Sequence, residues 1–83
     1  MILEENDMAD YKLYGLGYRK EKQTKTCILY HRYCGKERKY IQINIGKSIS
    51  LCCYTEDFSP APITTQEIII AMEKVNECMR KKP

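Results

Sequence analysis

The chain reads as an α+β fold, an antiparallel meander of three or four strands packed against a C-terminal helix, with room for a short helix at the N-terminus. Two patterns predict it. Apolar residues alternate along "KYIQINIGKSISLCCY", and "ITTQEIIIAMEKVNECMR" carries a capped helical period.

Taken in order, residues 4–15 supply the short helix, with Met8, Tyr11 and Leu13 near one side, and Gly15 and Gly17 break it. "LGYRKEK" then enters a short first strand, and "KTCILYHRY" forms the second. Apolar residues occupy both alternations of that second strand. An unpaired buried guanidinium is costly, so the phase that keeps Arg32 out of the core is preferred. It buries Cys27, Leu29, His31 and Tyr33 and sends Tyr30 and Arg32 to the polar face.

The next two strands bend at Gly46-Lys47. A strict two-residue loop there would set Ile45 against Ser48 and mix the faces. One further loop residue sets Ile45 beside Ile49, Ile43 beside Leu51 and Ile41 beside Cys53. Since a one-residue slip turns every side chain over, the hydrophobic match decides the register. Tyr40, Gln42, Asn44, Ser50, Cys52 and Tyr54 then share the opposite, polar face. The loop "TEDFSPAP" follows.

Pro60 and Pro62 disfavour helix before Thr64. Thr64 reads as an N-cap with Glu67 closing a capping box, and Ile63 and Ile68 stand where a hydrophobic staple would place them. The helix starts at Thr65 and runs to about Arg80, with cations at its negative end. At 100° per residue, Ile68, Ala71, Met72, Val75, Cys78 and Met79 form the core stripe. Ile70 falls outside it and is either a lone exposed apolar residue or a contact for a partner chain.

Eighty-three residues are expected to make one domain, 1–83, of small core, with 1–9 flexible. No apolar run approaches the length of a membrane span, and the acidic "MILEENDMAD" lacks the features of a secretory leader. A cytoplasmic location is expected, and with it five free thiols, Cys27, Cys34, Cys52, Cys53 and Cys78, an odd set for a disulfide framework.

The net charge of +3 is segregated. Residues 1–11 hold four acids and no base, residues 12–47 ten bases against two acids, and residues 48–79 five acids against one base. A basic middle attracts nucleic acid or an acidic protein.

In this order, "LGYRKEK", "ILYHRY", "KYIQINI" and "ITTQEIIIAMEKVNECM" resemble a type of small protein found in phage and prophage gene clusters of Gram-positive bacteria. Such proteins have a short "LGY" segment, a meander of three or four strands, and a closing helix opened by Ile-Thr-x-x-Glu. The resemblance covers most of the chain from Leu16 on. It implies a fold and a genomic setting and brings no catalytic residue. The five cysteines and the basic middle depart from its often acidic pattern.

Residue chemistry argues for a non-catalytic role. "CILYHRYC" invites a zinc site, but alternation sends Cys34 away from Cys27 and His31, and parts Cys52 from Cys53, with no C-x-x-C knuckle. One histidine and no clustered acids leave little for acid-base work, and "YGLGYRK" is neither a P-loop nor a dinucleotide fingerprint. Neither a catalytic residue, a metal nor a cofactor is therefore expected.

Two functions remain. The first is a protein-interaction module, binding a host or phage protein or a second copy, with Phe58, Ile70 and the basic hairpin as contacts. The second is nucleic-acid binding, with Tyr30, Arg32, Tyr40, Gln42 and Tyr54 on one face and Lys36, Arg38 and Lys39 at its hairpin edge.

Overall fold

The computed structural model describes residues 7–80. Its elements run α1 (Met8–Gly15), β1 (Arg19–Gln23), β2 (Cys27–Cys34), β3 (Glu37–Ile45), β4 (Ile49–Thr55) and α2 (Thr65–Arg80). The strands form one antiparallel sheet in the order β1-β2-β3-β4. Both helices pack on one face, where Leu13, Tyr18, Ile28, Tyr30, Ile41, Ile43, Ile70, Ala71 and Val75 make the core. The α+β meander is thus the observed fold.

The β3–β4 hairpin follows the hydrophobic match, with Ile45 opposite Ile49, Ile43 opposite Leu51 and Ile41 opposite Cys53. The cap of α2 also forms as its sequence dictates. Glu67 N donates to Thr64 Oγ1 at 3.1 Å, and Thr64 N donates to Glu67 Oε1 at 3.0 Å. These bonds satisfy two amides, one of them a first-turn donor that has no partner within the helix.

The phase of β2 is the reverse of the expected one. Ile28 and Tyr30 are fully buried, whereas Leu29, His31 and Tyr33 lie on the face away from the helices. Register explains it: Gly35-Lys36 is the loop between the paired Cys34 and Glu37, and that count sets Tyr30 opposite Ile41. Gly35 takes a φ of 70°, a value glycine adopts at little cost. Tyr30 tolerates the core because its hydroxyl donates to Asp10 Oδ1 at 2.5 Å. Arg32, on the helix side after all, keeps its guanidinium over the Tyr18 ring, 5.6 Å from the centroid, at the end of the core.

The buried face of α2 is likewise turned from the expected stripe. Glu67, Ile70, Ala71, Lys74 and Val75 are buried, while Ile68, Met72 and Met79 are exposed. Ile70 is a core residue and not a surface contact. The rotation, roughly 70° about the helix axis at 3.6 residues per turn, carries a lysine and a glutamate inward because partners await them. Lys74 Nζ donates to Asp7 Oδ2 at 2.8 Å and to Asp10 Oδ2 at 2.9 Å. Lys20 Nζ reaches the same Asp10 oxygen at 3.1 Å.

α1 is held by that knot more than by an apolar stripe. Ala9, Asp10 and Leu13 are buried, whereas Met8 and Tyr11, expected near the inner side with Leu13, are exposed. Asp7 and Ala9 are buried. Residues 1–6, and with them the start expected for the helix at residue 4, lie outside the described residues.

Among the described residues, no helix is long and apolar enough to cross a membrane.

Candidate functional site: the open sheet face

With both helices on one side, the other face of the sheet carries no layer among the described residues. Alternation gives that face Cys27, Leu29, His31 and Tyr33 from β2, Arg38, Tyr40, Gln42 and Asn44 from β3, and Ser50, Cys52 and Tyr54 from β4. Cross-strand register aligns His31, Tyr40 and Tyr54 into a row. The Tyr40 and Tyr54 rings stack at 5.3 Å and 19°, and Phe58 continues the stack against Tyr54 at 5.6 Å and 27°. His31 closes the other end, tilted against Tyr40 and edge-on to Tyr33.

Arg38 binds the row together. Its guanidinium sits 5.3 Å from the centroid of the Tyr33 ring, Nε donates to Tyr33 Oη at 3.0 Å, and a terminal nitrogen donates to Tyr40 Oη at 3.4 Å. Beside the aromatics runs a polar chain. Tyr54 Oη donates to Gln42 Oε1 at 2.7 Å, Gln42 Nε2 to Asn44 Oδ1 at 2.9 Å, and Asn44 Nδ2 to Ser50 Oγ at 3.2 Å. Burial among its neighbours pushes the Tyr54 phenol up, so it stays a neutral donor at physiological pH.

Phe58 is the outlying member. It is 80% exposed and has a φ of 65°, a left-handed conformation that bulky residues rarely adopt. The loop enforces it: Phe58 N donates to Thr55 O at 2.9 Å, Thr55 N donates to Ser59 O at 2.9 Å, and Asp57 accepts from Thr55 Oγ1 and from Ser59 N. Those bonds hold the Asp57 carboxyl below its usual range.

The residues expected to form one surface are therefore divided. Arg38, Tyr40, Gln42 and Tyr54 meet on the open face, Phe58 extends it, and Lys36 is exposed in the turn beside it. Tyr30 is withdrawn into the core. Arg32 and Lys39 point to the helix side, where Lys39 Nζ lies 3.4 Å from Glu67 Oε1. Ile70 is internal. His31 and Tyr33, assigned to the core by alternation, belong instead to this surface. The loop length of Gly35-Lys36 was the signal that places them, since it fixes the register across β2 and β3.

The other expected chemistry has a plain geometry. The five cysteines stand as free thiols, Cys53 and Cys78 packed against the core and Cys34 and Cys52 exposed. Burial pushes the Cys53 thiol up, which disfavours the nucleophilic thiolate there. Among the described residues, no group of three or more His, Cys, Asp or Glu side chains converges as a metal site requires. His31 Nδ1 is 3.4 Å from Glu21 Oε1 at the β1 bulge.

No family model, no curated protein and no solved structure matches the chain.

Proposed function

We propose that the protein is a non-catalytic protein-interaction module that binds its partner, a host or phage protein, through the open sheet face. The observation that carries this reading is the Tyr40–Tyr54–Phe58 stack, ended by an 80% exposed Phe58 on a left-handed backbone. An exposed aromatic held at a conformational cost of about 1 kcal/mol or more brings the isolated chain little return. Tyr, Phe and Arg are the residues enriched where protein surfaces meet, and lysine is depleted there.

The stack also favours protein over nucleic acid. Tyr40 and Tyr54 spend their faces on each other, so they offer edges and hydroxyls outward, whereas base stacking needs open ring faces. Two bases expected to hold phosphates are occupied on the helix side, Lys39 by Glu67 and Arg32 by the Tyr18 ring, and Lys20 of the basic middle is taken by Asp10.

The test uses Phe58→Gly, which suits the backbone, and Arg38→Glu. Cross-linking and mass spectrometry in host cells should recover one protein with the wild type and lose it with either variant, while both retain the wild-type circular dichroism spectrum. Fluorescence anisotropy with single-stranded and duplex oligonucleotides at low and high salt is the counter-test. Steeply salt-dependent binding abolished by Arg38→Glu would overturn the proposal in favour of a nucleic-acid surface.

A further inference from the structure

The two edges of the sheet are built differently. β1, "RKEKQ", carries four charged residues in five and a bulge between Lys20 and Lys22, devices that keep other strands away. β4, "ISLCCYT", carries no charge in seven. At one end its edge is covered, because Ala61 N donates to Cys53 O and Thr55 N donates to Ser59 O. Antiparallel alternation makes Ile49 and Leu51 the residues whose amides and carbonyls point the same way as those of Cys53 and Thr55. Among the described residues that part of the edge is uncovered.

Beside it lies an apolar groove of about 270 Å³ between β4 and α2, lined by Ile43, Ile49, Leu51, Met72 and Val75. The flank of α2 above the groove is the part of the amphipathic stripe that the chain leaves outside. Ile68, Met72 and Met79 are 37, 60 and 50% exposed, and Ile49 is 49% exposed. A stripe at helical spacing, an uncharged strand edge and a groove between them thus form one surface.

We infer that this surface is the interface of a two-fold homodimer, in which β4 pairs antiparallel with β4 of a second copy and the exposed flanks of the two α2 helices meet above the joined sheet. Three features select a second copy. Neither the β4 edge nor Ile68, Met72, Val75 or Met79 bears a charge, so self-pairing brings no like charges together. The charged, bulged β1 edge rejects β4, which blocks open-ended stacking and leaves the closed two-fold arrangement. The strip is also of interface scale: α2 is 16 residues, about 24 Å long, and helix flank plus strand edge span roughly 20 Å. That strip is about 480 Å² per partner before side-chain relief, the size of the smaller protein interfaces.

Register follows from the free backbone groups. Among the described residues, Ile49 and Leu51 are the β4 positions that offer outward bonds before Ala61 closes the edge at Cys53. The two-fold register that uses both sets Ile49 opposite Leu51 of the second copy and Ser50 opposite Ser50 at the axis. Ser50 is then a non-hydrogen-bonded pair, whose Cα atoms stand about 4.5 Å apart, within reach of a disulfide. Ser50 faces the open side, but the β4 edge, the groove and the α2 flank lie apart from the Tyr40–Tyr54–Phe58 stack, so either proposal can fail alone.

Light scattering on the full chain is expected to return twice the 9.8 kDa monomer mass. Met72→Lys should weaken the dimer by about tenfold or more, the cost of one buried methionine side chain. Ser50→Cys in a Cys52→Ser background should form a covalent dimer under mild oxidation. A wild-type monomer throughout a dilution series overturns the inference and leaves the edge to a foreign strand. So does a dimer that Ser50→Cys fails to cross-link.

Discussion

Asp10 is the residue on which most of the tertiary structure converges. It accepts from Tyr30 Oη, Lys74 Nζ, Lys20 Nζ and the Asp7 amide, and so joins α1, α2, β1 and β2. Burial pushes its carboxyl up, but the bonds from Tyr30, Lys74, Asp7 and Lys20 outweigh burial and hold it below the usual range. Lys74, whose burial works against its charge, is held above its usual value by Asp7 and Asp10. Removing one member of such a knot strands the others. Asp10→Ala is expected to cost about 3–5 kcal/mol in urea unfolding, whereas Lys12→Ala at the exposed Lys12–Glu73 pair should cost less than about 1 kcal/mol. Equal losses from the two would refute the central place of Asp10.

Among the elements, α2 shows how two stripes can share one helix. Ala71, Val75 and Cys78 belong to both the hydrophobic stripe and the observed face, while Ile70 and Lys74 belong only to the second. Hydropathy alone favours Ile68, Met72 and Met79 over a face containing Glu67 and Lys74. The helix turns the other way because Glu67 meets Tyr18 Oη at 2.7 Å and Lys74 meets two aspartates, partners remote in sequence. Ile70→Ala should therefore cost about 2–5 kcal/mol, and Met72→Ala under about 1 kcal/mol at a concentration where the chain is monomeric. Thermal or urea unfolding of both variants checks the order, and the reverse order would restore the hydropathy stripe as the core. β2 carries the same lesson. Its two alternations were equally apolar, and the tie was broken by a turn count and by an acceptor for Tyr30 on another element.

For the whole molecule, these buried groups dictate the pH range of stability. Asp10 and Glu67 are held below their ordinary values of 3.8 and 4.5. For Glu67, burial is outweighed by the Thr64 amide, Tyr18 and Lys39. A lowered pKa in the folded state means that the unfolded chain takes up protons first on acidification. Their stabilisation is complete above the ordinary values and is lost as pH falls through the folded ones. Tyr18, Tyr30 and Lys74 are raised above 10.0, 10.0 and 10.5, the tyrosines by burial and by their carboxylate acceptors. Their contribution is complete below pH 10.0 and is lost as pH rises through the folded values. Melting temperature should be flat across the neutral range and fall on both sides, below 4.5 and above 10.0. A melting curve that keeps falling between pH 5 and 9 would contradict this assignment of the buried charges.

The sequence by itself determined what rests on neighbours along the chain. The capping box of Thr64 and Glu67, the bounds of α2, the β3–β4 register and the Tyr40–Tyr54 pair all follow from spacing within a few residues or across one tight turn. Tertiary structure decided which side of α2 faces inward and, together with the Gly35-Lys36 turn count, which side of β2 does, and hence that Tyr30 and Ile70 are core while His31 and Tyr33 join Arg38, Tyr40 and Tyr54 outside. The physical reason is that burial of a polar group depends on a partner. Asp10 and Tyr30 are twenty residues apart, and Asp10 and Lys74 are sixty-four apart. Periodicity measures how apolar a face is, and it is blind to a carboxylate waiting on another element.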